Sequence, residues 1–369
     1  MIILKETQSK ILDTLQSVNG IVAKNSIMPI LANVLIQKTS GNIQLTSSDL
    51  EIQIRTTTEL GGDIGDFTTT VGARKMIDIL RTLPKDQTVS LESSATKLIL
   101  KSGKSKFTLQ TLPAEDFPLV KELNEFHPSF SVPQKTLKSL IKQVSFAMAI
   151  HDVRYYLNGM LFETDGTKLI LVATDGHRLA YASATLDVEI PKQEVILPRK
   201  TVLELDRLLS DVEGDIEIQF SNSQAKFAFD STEFVTKLVE GKFPDYNRVI
   251  PTDNKIAITL GRSALLSSLQ RTAILTGEKF RGVRLNIEPG TLRVSTNNAE
   301  QEYALDELDI DYSGESIEIG FNVDYLIDVL SNMTQDMVTI NLAQGNNCSM
   351  LFVIPANPDF KYVVMPMRI

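Results

Sequence analysis

The feature that most constrains the fold of this chain is an internal threefold repeat. Three strand-like segments end in similar sequences, LTSSDLEIQI from Leu45, LVATDGHRLA from Leu171 and LRVSTNNAEQEYA from Leu292, in which Asp49, Asp175 and Asn297 correspond. In each copy an amphipathic helix pattern precedes two such strand-like runs, and a second helix pattern and two closing strands follow them. Matching elements recur at a constant distance, so we expect three similar units in series.

Chance is the alternative explanation, because many α+β proteins share this order of helices and strands. Matched spacing through several elements in all three copies favours a true repeat. A step of about 125 residues is the size of a domain and too long for the unit of a solenoid. The sequence therefore predicts three α+β domains, at 1–125, 126–252 and 253–369, joined by segments that contain proline and polar residues.

The composition indicates a soluble, cytoplasmic protein. Hydrophobic residues make up 43% of the chain and charged residues 22%, as in domains with packed cores. The first residues, MIILKETQSKIL, lack the pattern of a signal peptide, and no stretch has the roughly 18 apolar residues of a membrane span. A single cysteine, Cys348, excludes an internal disulfide and a cysteine-ligated zinc site.

The charges are divided between the predicted helices and the rest of the chain. Helices are predicted at 8–24, 72–83, 133–149, 198–209, 261–276 and 322–333. They hold 13 basic and 6 acidic residues, a net charge of +7, so the remainder carries −16 within the total of −9. The last of them, with Asp324 and Asp328, departs from this pattern. Ordinary solvated faces are the alternative, but they normally mix both signs, so the basic set predicts sequence-independent binding of phosphates.

The most enzyme-like segment is ATDGHR at Ala173–Arg178, which brings Asp175 and His177 together. Hydrolysis would require His177 to pair with a nucleophile or a positioned carboxylate. The alternative is a tight turn, which an Asp-Gly pair favours. We interpret the backbone as a turn and its side chains as the rim of a binding site. With three histidines and no phosphate-loop or catalytic signature, the sequence predicts no enzyme activity, no metal site and no cofactor.

Five segments resemble the bacterial β sliding clamp family, the processivity subunits of the replicative DNA polymerase. They are RYYLNGMLFE at Arg154–Glu163, ATDGHRLA at Ala173–Ala180, EGKFPDYNRVIP at Glu240–Pro251, EKFRGVRL at Glu278–Leu285 and VVMPMRI at Val363–Ile369. The resemblance extends over nearly the whole chain. It implies a clamp domain in each copy, with two helices packed on antiparallel sheets. It also implies a head-to-tail homodimer that closes into a ring, with the helices inside and the sheets outside.

The resemblance implies that this ring encircles duplex DNA and tethers the replicative polymerase, which makes synthesis processive. It also implies a groove of the second and third domains that binds short linear motifs of polymerases, the clamp loader and mismatch-repair proteins. Matched residue by residue, its lining would be Leu157, Thr174, Gly176, His177, Arg178, Leu179, Pro244, Arg248, Val249, Phe280, Asn322, Tyr325, Ser349, Val363, Val364, Met365, Pro366, Met367 and Arg368. Ile369 stands where the family usually has leucine, which keeps that position apolar.

DNA contacts are expected from the family match and from the helix cations. They are Lys24, Arg74, Lys138, Lys142, Arg154, Tyr155, Tyr156, Arg199 and Lys200. Asn25 stands where family members often have arginine, so Lys24 is assigned that role. Tyr155 and Tyr156 are also compatible with a strand that buries one of them. The dimer contact is expected to place Lys75, Phe107 and Leu109 of the first domain against Ile274 and Leu275 of the third.

Three hypotheses of function follow from the sequence. The leading one is a DNA-encircling protein that makes and breaks no bond. The second is a hydrolase or nuclease that uses Asp175 and His177. The third is a structural repeat protein with no role on DNA.

Overall fold

The computed structural model describes residues 1–23, 27–121, 123, 125–211, 213–345 and 347–369. Lys24, which is expected to contact DNA, and the neighbouring Asn25 lie outside the described residues. In the part of the chain that is described, no helix is long and apolar enough to cross a membrane.

Six α-helices form in the described residues where apolar side chains recur at helical spacing. They are α1 (Gln8–Asn19), α2 (Ala73–Arg81), α3 (Gln134–Val144), α4 (Arg199–Leu208), α5 (Arg262–Ala273) and α6 (Val323–Ser331). Each lies within its predicted range and ends earlier than predicted. After α5, for example, the N–H of Ile274 donates to the oxygen of Arg271, so the last turn tightens and stops being α-helical.

The strands recur in the same order in each copy. The first copy has β1 (Ile2–Thr7), β2 (Asn33–Thr39), β3 (Asn42–Ser48), β4 (Ile52–Glu59), β5 (Phe67–Gly72), β6 (Thr88–Ser94), β7 (Lys97–Ser102) and β8 (Ser105–Leu112). The second has β9 (Phe130–Pro133), β10 (Gly159–Thr174), β11 (Arg178–Pro198), β12 (Asp215–Phe220), β13 (Gln224–Phe229) and β14 (Thr232–Lys237). The third has β15 (Ile256–Gly261), β16 (Gly282–Glu288), β17 (Thr291–Asn297), β18 (Tyr303–Asp309), β19 (Ile317–Asn322), β20 (Met337–Leu342), β21 (Met350–Ile354) and β22 (Asn357–Val364).

The sequence therefore underestimated the number of strands. A strand precedes the first helix of each copy, four strands (two long ones in the second copy) separate the helices, and three strands close the copy. Two-residue turns divide what reads as one strand-like run. Between β2 and β3, for example, Ser40 and Gly41 both have positive φ, as tight hairpin turns require.

Each copy builds two antiparallel sheets by one rule. The strand before the first helix joins the three closing strands, in the orders β1-β6-β7-β8, β9-β12-β13-β14 and β15-β20-β21-β22. The strands between the helices form the other sheet, in the orders β5-β2-β3-β4, β10-β11 and β19-β16-β17-β18. A mixed fold with three related copies, as predicted, is the result.

The sheets also continue from one copy to the next. β4 pairs with β14, where Ile54 lies opposite Phe234, and β11 pairs with β22, where Ala180 lies opposite Tyr362. In the described residues, β18 has a neighbouring strand on its β17 side only, and Ser105–Gln110 of β8 pair only with β7. Both β18 and β8 therefore present a free edge.

The chain groups into two compact units, and each is described by itself. The first consists of Met1–Lys135 and Arg207–Leu238, and α1 and α2 pack on its 12-stranded sheet. The second consists of Thr136–Asp206 and Val239–Ile369, and α5 and α6 pack on its six-stranded and four-stranded sheets. The middle copy contributes strands to both units. The three domain boundaries expected from the repeat stay a prediction.

The structure corrects one residue correspondence between the three copies. β3 and β10 are followed directly by Asp49 and Asp175, and β17 ends at Asn297, so the matching residue is Asn298 and not Asn297. The side-chain oxygen of Asn298 accepts the N–H of Glu302 at 2.9 Å, four residues further on. The turn of the third copy is longer, and its two consecutive asparagines made the match ambiguous.

Candidate functional site

A hollow of about 220 Å³ opens beside the turn between β10 and β11, in the second unit. We call it the groove. Its lining residues are Arg154, Tyr156, Leu157, Thr174, Gly176, His177, Arg178, Leu179, Pro244, Val249, Val363 and Met365. Below it lies a buried apolar cluster that includes Leu179, Val363 and Phe243, with Tyr156 packed against it. A hollow with an apolar floor and a few polar groups at its rim suits an apolar peptide or a small molecule.

The turn beside the groove is held by its own side chains. One carboxylate oxygen of Asp175 accepts the N–H groups of His177 and Arg178 at 2.9 and 3.1 Å. The Thr174 hydroxyl donates to the Arg178 oxygen at 2.6 Å and accepts the N–H of Gly176 at 3.1 Å. Gly176 has φ of +90°, where a side chain is strained. The predicted Asp-Gly turn is therefore confirmed.

Arg178 connects this turn to α6 and to the short 3-10 turn Ser145–Ala147 that follows α3. Its guanidinium donates to the carboxylates of Asp175 and Asp328 and, at 3.0 Å, to the Phe146 oxygen. It also lies over the ring of Tyr325, 4.6 Å from the centroid. Burial disfavours the charged guanidinium, but its polar partners outweigh this cost and hold its pKa above the ordinary value. Such a set of charge-assisted bonds fixes the position of one groove wall.

Two buried tyrosines support the groove from below. The Tyr362 hydroxyl donates to the Tyr325 oxygen at 2.9 Å, and the Tyr246 hydroxyl donates to Glu163 Oε2 at the same distance. Burial raises the pKa of both Tyr362 and Tyr246. Both hydroxyls therefore stay protonated at neutral pH and act as fixed donors.

His177 is placed for contact and not for proton transfer. Its ring stacks on Tyr325, with the centroids 6.4 Å apart, and its backbone oxygen accepts the N–H of Met365 at 3.0 Å. The oxygens of Asp175 are taken by backbone N–H groups and by Arg178, so this carboxylate does not orient the imidazole. The geometry does not favour the hydrolase hypothesis.

Arg154 borders the groove and is bound to its neighbours. Its guanidinium donates two hydrogen bonds to the Asp152 carboxylate, at 3.0 and 2.9 Å, and one to the backbone oxygen of Asp175 at 3.2 Å. The bonds from Arg154 lower the pKa of Asp152 to about 2. A Cβ built on Gly176 would lie 2.9 Å from the Arg154 guanidinium, so a side chain there would have to displace this guanidinium from its bonds as well as adopt a positive φ. Tyr156 and Arg154 were predicted as DNA contacts and not as groove residues.

Tyr155 and Tyr156 lie in a short 3-10 turn, Tyr155–Leu157, and not in a strand. Tyr156 packs against the apolar cluster below the groove, whereas the side chain of Tyr155 is exposed. One of the two is therefore a packing residue, as the alternative interpretation held. The strand that it assumed begins only at Gly159.

The groove brings together ten of the residues that the family resemblance assigned to it, and the others lie around it. Phe280, Met367 and Arg368 line a second hollow of about 940 Å³ in the same unit. Asn322 caps α6 by accepting the N–H of Asp324 at 2.9 Å. Those not in either lining are Arg248, Asn322, Tyr325, Ser349, Val364 and Pro366, of which Tyr325 stacks on His177 and Val364 is buried.

The acidic helix α6, which departed from the charge pattern, has a structural explanation. Asp328 pairs with Arg178, and Asp324 forms two bonds to Arg281 at 3.0 and 2.9 Å. Arg281 also donates to the Ala273 oxygen at the end of α5. Sequence reasoning missed both pairs, because partners 43 and 150 residues apart leave no local signal.

The other predicted DNA residues lie on several helices. Arg74 of α2, Lys142 of α3 and Lys200 of α4 are exposed, and Lys138 is half-buried. Burial lowers the pKa of Arg199, which donates to the Met148 oxygen at 3.3 Å. The two arginines of α5 bond mainly within the protein, Arg262 to the Leu330 oxygen and Arg271 to Asp306. The third copy therefore contributes less free positive charge than the helix count suggested.

The residues predicted at a dimer contact fall into two groups, one in each unit. Lys75 and Leu109 line a hollow of about 410 Å³ in the first unit, and Phe107 is half-buried on β8. In the second unit Ile274 is 77% exposed, which is unusual for an isoleucine, and Leu275 is half-buried. Over the described ranges, no three His, Cys, Asp or Glu side chains are placed to hold a metal ion.

Comparison with known families matches nearly the whole chain. Family models of the three domains of the DNA polymerase III beta subunit match this chain. The N-terminal domain model matches residues 3–121, the central domain model residues 131–245 and the C-terminal domain model residues 247–368. The beta sliding clamp of Pseudomonas putida is 44% identical over 362 residues, which cover 97% of this chain and 98% of that protein. That of Escherichia coli strain K12 is 41% identical over 359 residues, with the same coverage.

Solved structures agree with the sequence comparisons. The sliding clamp of Pseudomonas aeruginosa, DNA polymerase III subunit beta, in a crystal structure bound to griselimycin, matches with a TM-score of 0.96. It is 42% identical, and 99% of each chain is covered. Caulobacter crescentus pol III beta matches with a TM-score of 0.92 at 34% identity, with both chains covered completely.

Proposed function

The chain belongs to the family of DNA polymerase III beta subunits, the β sliding clamps, and from this premise we propose that two copies close into a ring around duplex DNA. As a member of this family it is a DNA clamp of replication and not an enzyme, so the hydrolase hypothesis and the purely structural one are both set aside. The ring, its DNA contacts, the groove's partners, the three-domain division and a cytoplasmic location are the parts that we propose.

The strand-pairing rule supports a head-to-tail contact. Within the chain, the edge strand of the sheet between the helices of one copy pairs with the last closing strand of the next copy, as β4 does with β14 and β11 with β22. Applied once more, the rule pairs β18 of one molecule with β8 of another. Both strands have free edges, which are templates for pairing. Such a contact is heterologous, and two of them join six units into a closed ring when the rotation between the molecules closes.

The side chains on these edges are complementary. Lys104 and Lys106 are exposed at the start of β8, and Glu307 and Asp309 are exposed at the end of β18, which an antiparallel pairing places opposite them. The exposed Ile274 of one molecule would be buried by a hollow such as the one that Leu109 lines in the other molecule. An apolar centre with charged residues around it is the usual composition of a stable subunit contact.

A ring can hold DNA without reading its sequence. The exposed cations of α2, α3 and α4 would contact phosphates, and such contacts carry no sequence information. Retention is then topological, so each contact can stay weak while a tethered polymerase keeps a high local concentration. Like-sign repulsion from the acidic remainder of the chain would keep DNA away from the outer surface.

For the groove we propose short linear motifs of polymerases, the clamp loader and mismatch-repair proteins as partners. The observation that carries this is a preformed apolar hollow whose rim, Asp175 to Arg178, is fixed by hydrogen bonds and ion pairs. A rigid groove costs little conformational entropy on binding, which suits short peptides.

The test of the groove is His177→Ala, with Glu51→Ala at the same position of the first-copy turn as the matched control. We expect His177→Ala to weaken binding of the organism's replicative polymerase about tenfold, because a ring that contacts the ligand is lost. Griselimycin, bound to the P. aeruginosa clamp, is a second probe. Equal affinities for both variants, measured by calorimetry or surface plasmon resonance, would exclude this groove as the polymerase site.

The test of the ring uses its proposed edge. Replacing Tyr303 and Leu305, both exposed on β18, by lysine places two charges opposite the later residues of β8, which include the apolar Leu109. We expect this variant to be monomeric in light scattering at micromolar concentration and to be lost from nicked circular DNA. Val188→Lys, an exposed change on β11, is the control and should stay dimeric and loaded. A wild-type clamp that remains equally on circular and linearised DNA would contradict topological binding.

A further inference from the structure

Two strand glycines have no conformational reason to be glycine. Gly282 begins β16 and Gly320 lies within β19, and neither has a positive φ. A glycine within a strand weakens it unless another part of the chain must approach closely. In the antiparallel register, Gly282 lies opposite Asn322 and Gly320 lies opposite Arg284, so both glycines are on one face of the sheet.

The part that approaches is the segment Met365–Ile369, which we call the tail segment. A Cβ on Gly320 would lie 2.6 Å from the Met367 backbone oxygen and 2.7 Å from the Ile369 side chain. A Cβ on Gly282 would lie 3.0 Å from Ile369 Cδ1 and would touch no backbone of the tail segment within 3.5 Å. The two glycines together leave the space that Ile369 occupies.

Three hydrogen bonds fix the tail segment along its length. The Met365 N–H donates to the His177 oxygen at 3.0 Å, and the Met367 N–H donates to the Gly320 oxygen at 2.9 Å. The Arg284 guanidinium donates to the backbone oxygen of Ile369 at 3.3 Å. Pro366 has no N–H to satisfy between the first two anchors. Met365, at the start of the segment, is part of the groove lining.

We propose that Gly320 and Gly282 are positioning residues for the partner groove. By admitting Met367 and Ile369 against the sheet, they hold the tail segment so that Met365 forms a wall of the groove beside His177. This inference rests on the proposed role of the groove as the partner site. Neither glycine lines the groove, so each acts only through the tail segment.

The contacts predict that the two glycines differ in a way that a second change can reveal. Gly320→Ala meets a backbone oxygen, so the tail segment must leave its place. Gly282→Ala meets side-chain atoms only, with Ile369 Cδ1 the nearest at 3.0 Å, so removing that atom by Ile369→Val relieves the closest contact. We therefore expect Gly320→Ala to weaken griselimycin and polymerase binding about tenfold, and Gly282→Ala about threefold, because displacement of one wall loosens the site. Ile369→Val should rescue Gly282→Ala and fail to rescue Gly320→Ala.

Hydrogen exchange at the Met367 amide gives a readout that general destabilisation would not produce. In Gly320→Ala this amide should lose protection from exchange, whereas the amides of β16 and β19 should keep theirs. The melting temperature should not fall, because alanine suits a strand better than glycine. The inference is overturned if Gly320→Ala binds both probes like the wild type, if it unfolds the sheet, or if Ile369→Val rescues both variants equally.

The same experiment separates this inference from the proposed function. If the wild-type protein binds neither probe, or if His177→Ala binds both probes like the wild type, the groove is not the partner site and the inference fails with it. Wild-type binding that depends on His177 but not on Gly320 leaves the groove in place and overturns the positioning role alone. Retention on nicked circular DNA should be the same for all four glycine variants and the wild type.

Discussion

The first and second copies contain the same turn, and in the second copy this turn lines the groove. Asp49 follows β3 as Asp175 follows β10. One carboxylate oxygen of Asp49 accepts the N–H groups two and three residues later at 3.0 and 2.7 Å, and Asp175 does the same at 2.9 and 3.1 Å. The repeat has thus preserved a backbone device that is independent of function.

The side chains on the two turns differ at all three positions after the aspartate, and two of these differences bear on the groove. Where the second copy has Gly176, the first has Leu50, which holds φ of +78° and is 40% exposed. Where the second copy has Arg178 with its ion pairs, the first has the buried, apolar Ile52. In both turns one carboxylate fixes the backbone, whereas the groove depends on the residues that this carboxylate positions.

The largest expected effect comes from replacing Arg178 by methionine, which removes the ion pairs and keeps an extended side chain. We expect the second unit to lose about 2–3 kcal/mol of unfolding free energy, less than for a fully buried pair because Asp328 is 41% exposed. Groove affinity should fall with it, because α6 and the turn are no longer joined. Urea unfolding and griselimycin titration measure the two quantities.

The matched change in the first copy is Ile52→Met. It exchanges one apolar side chain for another of similar volume, so we expect it to cost about 1 kcal/mol and to leave groove affinity unchanged. Equal losses of stability for Ile52→Met and Arg178→Met would mean that the Arg178 ion pairs add nothing beyond packing. The two turns would then differ in sequence only, and the comparison would fail.

A smaller effect is expected at the positive-φ position of each turn. Gly176→Ala introduces strain and a contact with the Arg154 guanidinium, and we expect it to destabilise the second unit by about 1–3 kcal/mol. Leu50→Gly relieves strain but gives the unfolded chain more freedom, so the first unit should change by less than about 0.5 kcal/mol. Calorimetric unfolding of both variants checks this, and an equal loss for Leu50→Gly would contradict the account of strain.

These contrasts also show what the sequence could reveal. Helical periodicity located all six helices, and the Asp-Gly pair identified the turn, because both signals depend on neighbouring residues. The family resemblance supplied Leu157 and Val363 of the groove lining, which no local pattern would have selected. The number of strands was underestimated, since two-residue turns such as Ser40–Gly41 do not interrupt a strand-like pattern.

Long-range partners were not predictable. Nothing near Arg178 in the sequence indicates that its partner is Asp328, and the same holds for Arg281 with Asp324. Those two carboxylates looked like a defect in the charge pattern until the structure showed which arginines they neutralise. The reason for Gly320 was equally hidden, because it depends on a segment that reaches the sheet only after folding.

The smallest effect concerns the pair of Asp152 with Arg154, which holds the Arg154 guanidinium against Gly176. Because this carboxyl has a pKa of about 2, below its ordinary value of 3.8, the pair contributes fully above pH 4 and is lost as the pH falls towards 2. An NMR titration of Asp152 should therefore have its midpoint near 2 in the wild type and near 3.8 in Arg154→Gln. A wild-type midpoint near 3.8 would show that Arg154 is not held by Asp152. Only φ would then favour glycine at position 176, and Leu50 shows that a turn of this type can hold a positive φ without glycine.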